Sequence, residues 1–91
     1  MLVARRILVS GRVQGIGFRW FAIERASLEG ITGWVRNLPA GDVEVMAEGD
    51  AEAMDRFERA LRQGPGRARI DDVAVDILTP TGRFATFTAH H

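Results

Sequence analysis

The 91-residue chain has no cysteine and no lysine. Without a thiol there is no disulfide, no thiolate nucleophile and no cysteine-based metal centre. Without lysine there is no Walker-type nucleotide loop, which needs a Lys-Ser/Thr pair after its last glycine. All twelve basic residues are arginines. An excess of one charge is missing too, since twelve acidic side chains offset the arginines and the pI is about 6.7. Broad binding to a nucleic-acid backbone requires a strong positive excess, so that class is disfavoured. No apolar run reaches the length of a membrane span or a secretory leader, which makes a cytoplasmic protein with no membrane partner the expectation. The two histidines, His90 and His91, close the chain and read as a fraying end rather than as catalysts. Asp71, Asp72 and Asp76 sit on a strand-like run that throws neighbours to opposite faces, so they read as exposed surface charge and not as metal ligands.

What is present is a foldable chain with one concentrated motif. Apolar residues make up 46% at a mean hydropathy near zero. This composition predicts one folded domain over residues 1–91, large enough for a single core. The motif is Ser10-Gly11-Arg12-Val13-Gln14-Gly15-Ile16-Gly17-Phe18-Arg19. It joins a strand-like run to a helix-like run through a glycine-punctuated turn. Glycines let the backbone adopt positive φ and let a ligand approach the N–H groups. The start of a following helix aims unpaired N–H groups and the positive dipole end at the same point. Arg19 adds a guanidinium suited to bidentate phosphate recognition. A dinucleotide fingerprint is excluded because Trp20 stands where its third glycine is required.

Periodicity predicts the remaining elements. Arg6 to Val13 reads as a strand with Ile7, Val9 and Val13 on its buried side. Phe18 to Glu29 reads as a helix whose stripe includes Phe21, Ala22, Ala26 and Leu28, stopped by Gly30. Ile31–Leu38 and the alternating Val43, Val45 and Ala47 read as a hairpin around Pro39-Ala40-Gly41-Asp42. Asp50 is placed as the N-cap of a second helix through Arg62, with Met54, Phe57 and Leu61 as its apolar stripe. Three acid-before-base pairs, Glu52–Arg56, Asp55–Arg59 and Glu58–Arg62, support that helix at i,i+4 spacing. Arg69 to Leu78 gives a fourth strand, and a fifth short strand holds Phe84 and Phe87. The order predicts an α+β, ferredoxin-like βαββαβ sandwich with two helices on one face of a mainly antiparallel sheet. The other face is expected to be either partly solvated or covered by side chains such as Trp34 and Met46.

A second motif joins the first. Gly33-Trp34-Val35-Arg36-Asn37-Leu38-Pro39-Ala40-Gly41-Asp42-Val43, followed by Gly49, together with the loop ending at Arg19, resembles the paired signatures of the acylphosphatase family. Ile16 replaces the usual valine of the first signature. Glu29 stands where a leucine is common, with Leu28 expected to take over its packing. The resemblance extends over nearly the whole chain and implies hydrolysis of an acyl phosphate to a carboxylate and inorganic phosphate. By motif position it implies that Gln14, Gly15, Ile16, Gly17, Phe18 and Arg19 bind the phosphate. Arg19 and Asn37 become the catalytic pair, with Asn37 positioning the attacking water. No metal or organic cofactor is implied. The expected working form is a monomer acting on a small-molecule acyl phosphate, with no nucleic-acid partner. An RNA-recognition module shares the strand and helix order, but the balanced charge and the absence of an aromatic RNA-binding strand motif count against it.

Overall fold

The structure, a computed structural model, describes all residues 1–91. Its elements in chain order are β1 (Leu2–Arg12), α1 (Phe18–Glu29), β2 (Thr32–Asn37), β3 (Val43–Asp50), α2 (Ala51–Gln63), β4 (Arg69–Leu78) and β5 (Phe87–His90). The sheet order is β4-β1-β3-β2-β5. All neighbours are antiparallel except β2 and β5, which run parallel. Two helices on this five-stranded sheet give the ferredoxin-like α+β fold expected from the element order.

Alternation along the strands decides which face the helices cover. Ile7 and Val9 of β1, Val35 of β2 and Val43, Val45 and Ala47 of β3 are buried against Phe18, Ala22 and Ala26 of α1 and Met54, Phe57 and Leu61 of α2. Burial of these side chains is the main stabilising force. Asp50 caps α2 as expected, accepting from the Glu52 N–H at 3.2 Å. Phe87 anchors β5 by packing edge-on against Phe57, with ring centroids 5.8 Å apart.

Several expectations are corrected. β1 begins at Leu2 rather than Arg6, because Leu2 to Arg5 continue the ladder onto Asp50 to Ala47 of β3. Phe84 lies outside β5, which starts at Phe87. Leu28 is 68% exposed and takes over no packing role. The α1 stripe keeps the expected Ala22 and Ala26, with Phe21 packed at its edge, and adds Phe18 in place of Leu28. Glu29, in the position of the common leucine, reaches across to Arg56 at 2.8 Å. Of the three i,i+4 pairs expected in α2, Glu58–Arg62 forms at 3.2 Å. Asp55 pairs with Arg5 of β1 instead, at 3.0 Å, because Arg5 points to the helical side of the sheet.

The face away from the helices is closed by charge as well as by Trp34 and Met46. Glu44 is buried and bridges Arg6 and Arg36, and Arg6 also reaches Asp76 at 3.5 Å. Burial pushes the Glu44 carboxyl up, but hydrogen bonds from Arg36 and Arg6 outweigh it and hold the group below the ordinary glutamate range. Glu48, also buried, accepts from the Thr81 N–H (2.9 Å), the Thr81 hydroxyl (2.8 Å) and the Gly82 N–H (2.9 Å). Burial raises this carboxyl and those bonds lower it by more. Glu48 therefore pins the loop between β4 and β5 onto the sheet.

Candidate active site

Topology gathers the two motifs at one end of the sheet. β1 and β2 are each antiparallel to β3, so they are parallel to each other, and β5 is parallel to β2. The C-terminal ends of all three strands therefore lie on the same edge of the molecule. The glycine loop leaves β1 there, Asn37 ends β2 there, and His90 ends β5 there. Asn37 shares the helical side of β2 with buried Val35, two residues before it. It thus faces the layer in which α1 begins.

The loop is built as an array of free donors. Gly15 (φ +74°) and Gly17 (φ +82°) adopt left-handed backbone, and Gly17 is the N-cap of α1. A Cβ added at either would meet nothing within 4 Å, so the loop is open to solvent and the glycines serve conformation rather than close packing. No side chain caps α1, and no acidic residue occupies its first turn. The first helical amide to find an acceptor is that of Phe21, onto the Gly17 carbonyl at 2.9 Å. Within the Gln14–Gly17 turn and the first residues of α1, no N–H from Gln14 to Trp20 makes a well-formed hydrogen bond to the protein backbone. Helix polarity adds about half a positive charge at this point. Such a nest of amides favours an oxyanion.

The two motifs are tied by the Gln14 side chain. Its amide nitrogen donates to the carbonyls of Leu38 (2.7 Å) and Asp42 (2.9 Å), which flank the β2–β3 turn. Gln14 can therefore offer a ligand its backbone N–H while its side-chain donors are engaged elsewhere. Arg19, partly buried in the first turn of α1, directs Nη1 toward the His90 carbonyl (3.4 Å) and His91 Nδ1 (3.5 Å). It makes no ion pair with a carboxylate, so its charge is uncompensated. Thr32 and Arg36 of β2 are hydrogen-bonded within the protein, whereas the Asn37 amide is not.

Neither of the two surface concavities contains Arg19 or Asn37. The larger lies between the helices and the smaller beside β5. The nest lies outside both. The sequence reading missed His90 in this setting. His90 is the last residue of β5, stacks on Trp34 at 5.2 Å between centroids, and reaches Arg19 through its carbonyl. Trp34 is packed as expected, in contact with His90 and with Arg36, whose guanidinium carbon is 5.0 Å from the ring centroid. Asp71, Asp72 and Asp76 are exposed, and no three acidic or histidine side chains converge on one point.

The Acylphosphatase family model matches residues 5–89. The chain belongs to the acylphosphatase family. An acylphosphatase of Methylococcus capsulatus is 49% identical over 81 residues, covering 89% of this chain and 88% of that protein. Among solved structures, an acylphosphatase from Bacillus subtilis superposes with a TM-score of 0.94 at 35% identity, over the full length of both chains. One from Coxiella burnetii gives 0.93 at 30% identity, covering 98% of this chain and 93% of that one. The acylphosphatase fold thus extends over the whole chain, including the loop, the β2–β3 turn and the parallel fifth strand.

Proposed function

We propose that this acylphosphatase-family chain hydrolyses the carboxyl–phosphate bond of small acyl phosphates, releasing a carboxylate and inorganic phosphate. The observation that carries the reading is the run of N–H groups from Gln14 to Trp20 that make no well-formed bond to the protein backbone, beside the uncompensated Arg19. Amide donors gathered at the N-terminus of a helix and not used within the protein favour an anion. The amides of Gln14, Gly15, Ile16, Gly17, Phe18 and Arg19, with the Arg19 guanidinium, hold and orient the phosphoryl oxygens. They stabilise the charge that redistributes over those oxygens in the transition state.

An acyl phosphate is a mixed anhydride whose carboxylate leaves readily, so positioning can replace a strong nucleophile. Asn37, with one donor group and one acceptor free of protein partners, holds a water in line with the phosphorus. The water oxygen bonds to phosphorus, the bond from phosphorus to the acyl oxygen breaks, and its electron pair leaves with the carboxylate. An amide is a poor base, so the water proton passes to a phosphoryl or carboxylate oxygen of the substrate itself. The reaction runs without metal or organic cofactor, in a single domain of residues 1–91 that acts as a cytoplasmic monomer and needs no nucleic acid.

Phosphate release from benzoyl phosphate tests the reading. Folded protein, verified by circular dichroism, accelerates release far above buffer. A folded sample that binds phosphate tightly and turns over nothing would make the chain a binding module instead.

A further inference from the structure

The sequence provides a nearby carboxylate for Arg25 and for Arg59, and the fold gives both away. Glu29 lies four residues after Arg25 on α1 but pairs with Arg56 at 2.8 Å. Asp55 lies four residues before Arg59 on α2 but pairs with Arg5 at 3.0 Å. Glu58 is occupied by Arg5 and Arg62. Arg25 and Arg59 are left without an ionic partner, and the Arg25 Nε is buried with no hydrogen-bond acceptor. Arg25 as a whole is part-exposed and Arg59 is exposed, so their remaining guanidinium donors are accessible to an anion.

Both arginines line the larger concavity, about 540 Å³ between α1 and the C-terminal half of α2. That volume lies in the usual range for small-molecule sites, ~300–1,000 Å³. Its wall is polar, with Phe21 and Ala60 as its hydrophobic members. Three guanidinium groups, those of Arg25, Arg56 and Arg59, meet one carboxylate, Glu29. The C-terminal end of α2 contributes about half a negative charge, which leaves the cavity positive. In a chain with no net charge this is a local concentration of cations. It lies apart from the nest, since neither Arg19 nor Asn37 lines it.

We infer that this interhelical cavity is a second anion site, taking a compact oxyanion of charge −2 or more whose oxygens accept from Arg25 and Arg59. Guanidinium forks fit phosphoryl and carboxylate groups alike, so the shared chemistry is a multivalent oxyanion. Calorimetric titration at low ionic strength with pyrophosphate, and separately with citrate, tests it. Arg19→Gln protein, in which the nest keeps its amides but loses its charged fork, is expected to retain one equivalent of anion whose binding depends on Arg25 and Arg59. Adding Arg25→Gln and Arg59→Gln weakens that binding at least about tenfold. The same pair of substitutions in the otherwise native chain leaves the melting temperature and benzoyl phosphate hydrolysis unchanged. Arg25→Lys with Arg59→Lys retains charge without the fork and recovers part of the affinity. Binding of pyrophosphate alone identifies a phosphoryl ligand, and binding of citrate alone a carboxylate ligand. Failure of both anions to bind the Arg19→Gln protein, or binding unaffected by loss of Arg25 and Arg59, would overturn the inference.

Discussion

The Gln14 side-chain amide donates to the Leu38 carbonyl at 2.7 Å and so fixes the glycine loop against the residue that follows Asn37. The same nitrogen also reaches Asp42 at 2.9 Å. These carbonyls keep a backbone donor without Gln14, because Gly41 N–H bonds to Leu38 (3.1 Å) and Leu38 N–H to Asp42 (2.8 Å). Gln14→Ala therefore orphans neither oxygen, and its cost in stability is expected to be about 1 kcal/mol. Its cost in function is registry between phosphate and water. Turnover falls roughly tenfold, the free energy of about one hydrogen bond, with KM little changed. Steady-state kinetics alongside urea unfolding separates the two effects.

Arg19→Gln removes the charged fork but leaves the amide nest. We expect a loss of roughly 3 kcal/mol or more in transition-state stabilisation, measured as kcat/KM with benzoyl phosphate. Asn37→Ala is expected to lower kcat while inorganic phosphate still inhibits at its native concentration range, because the phosphate is held by other groups. Near-normal values in either variant would reject the role given to that residue.

Glu48 sets an acid limit on stability. Its carboxyl is held below the ordinary range in the folded chain, whereas unfolded glutamate titrates near about 4.3. Above that pH both states are ionised and the stabilisation is complete. As pH falls below it the unfolded chain takes up the proton first, so stability is lost toward the lower folded value. Glu44 acts in the same direction. Glu48→Gln is expected to cost about 1–3 kcal/mol at neutral pH, with the gap to the native chain narrowing as the pH falls below the unfolded value of about 4.3. Thermal unfolding across that range checks it.

Gly33 has the β3 backbone in the space where a side chain would stand. At φ +136°, an added Cβ would sit 1.9 Å from the Met46 carbonyl oxygen. Gly33→Ala must push the strands apart and is expected to cost about 3 kcal/mol. Gly41→Ala, at φ +108° with nothing within 4 Å, carries backbone strain without the clash and is expected to cost about 1 kcal/mol. Urea denaturation of the two variants distinguishes these causes.

Local signals made most of this architecture legible. Gly30 and Gly64 end their helices, Asp50 begins one, and alternating valines mark β3. The exchanges that misled the reading are all long-range. Asp55 chose Arg5, 50 residues away, over Arg59 four residues on. Leu28 followed the heptad spacing of Phe21, yet α1 is rotated so that Phe18, Ala22 and Ala26 meet the sheet. At the site, the loop and Asn37 were visible as motifs, but their common edge follows from the mutual parallelism of β1 and β2, which sequence periodicity does not encode. The second use of Gln14 and the approach of His90 to Arg19 depend on that same assembly.

The most direct test of the account follows the oxygen. Benzoyl phosphate hydrolysed to completion by the enzyme in ¹⁸O-labelled water carries one labelled oxygen in the inorganic phosphate and none in the benzoate, if water held by Asn37 attacks phosphorus over the nest. Label in the benzoate would mean attack at the acyl carbon and would contradict the roles given to the loop, Arg19 and Asn37.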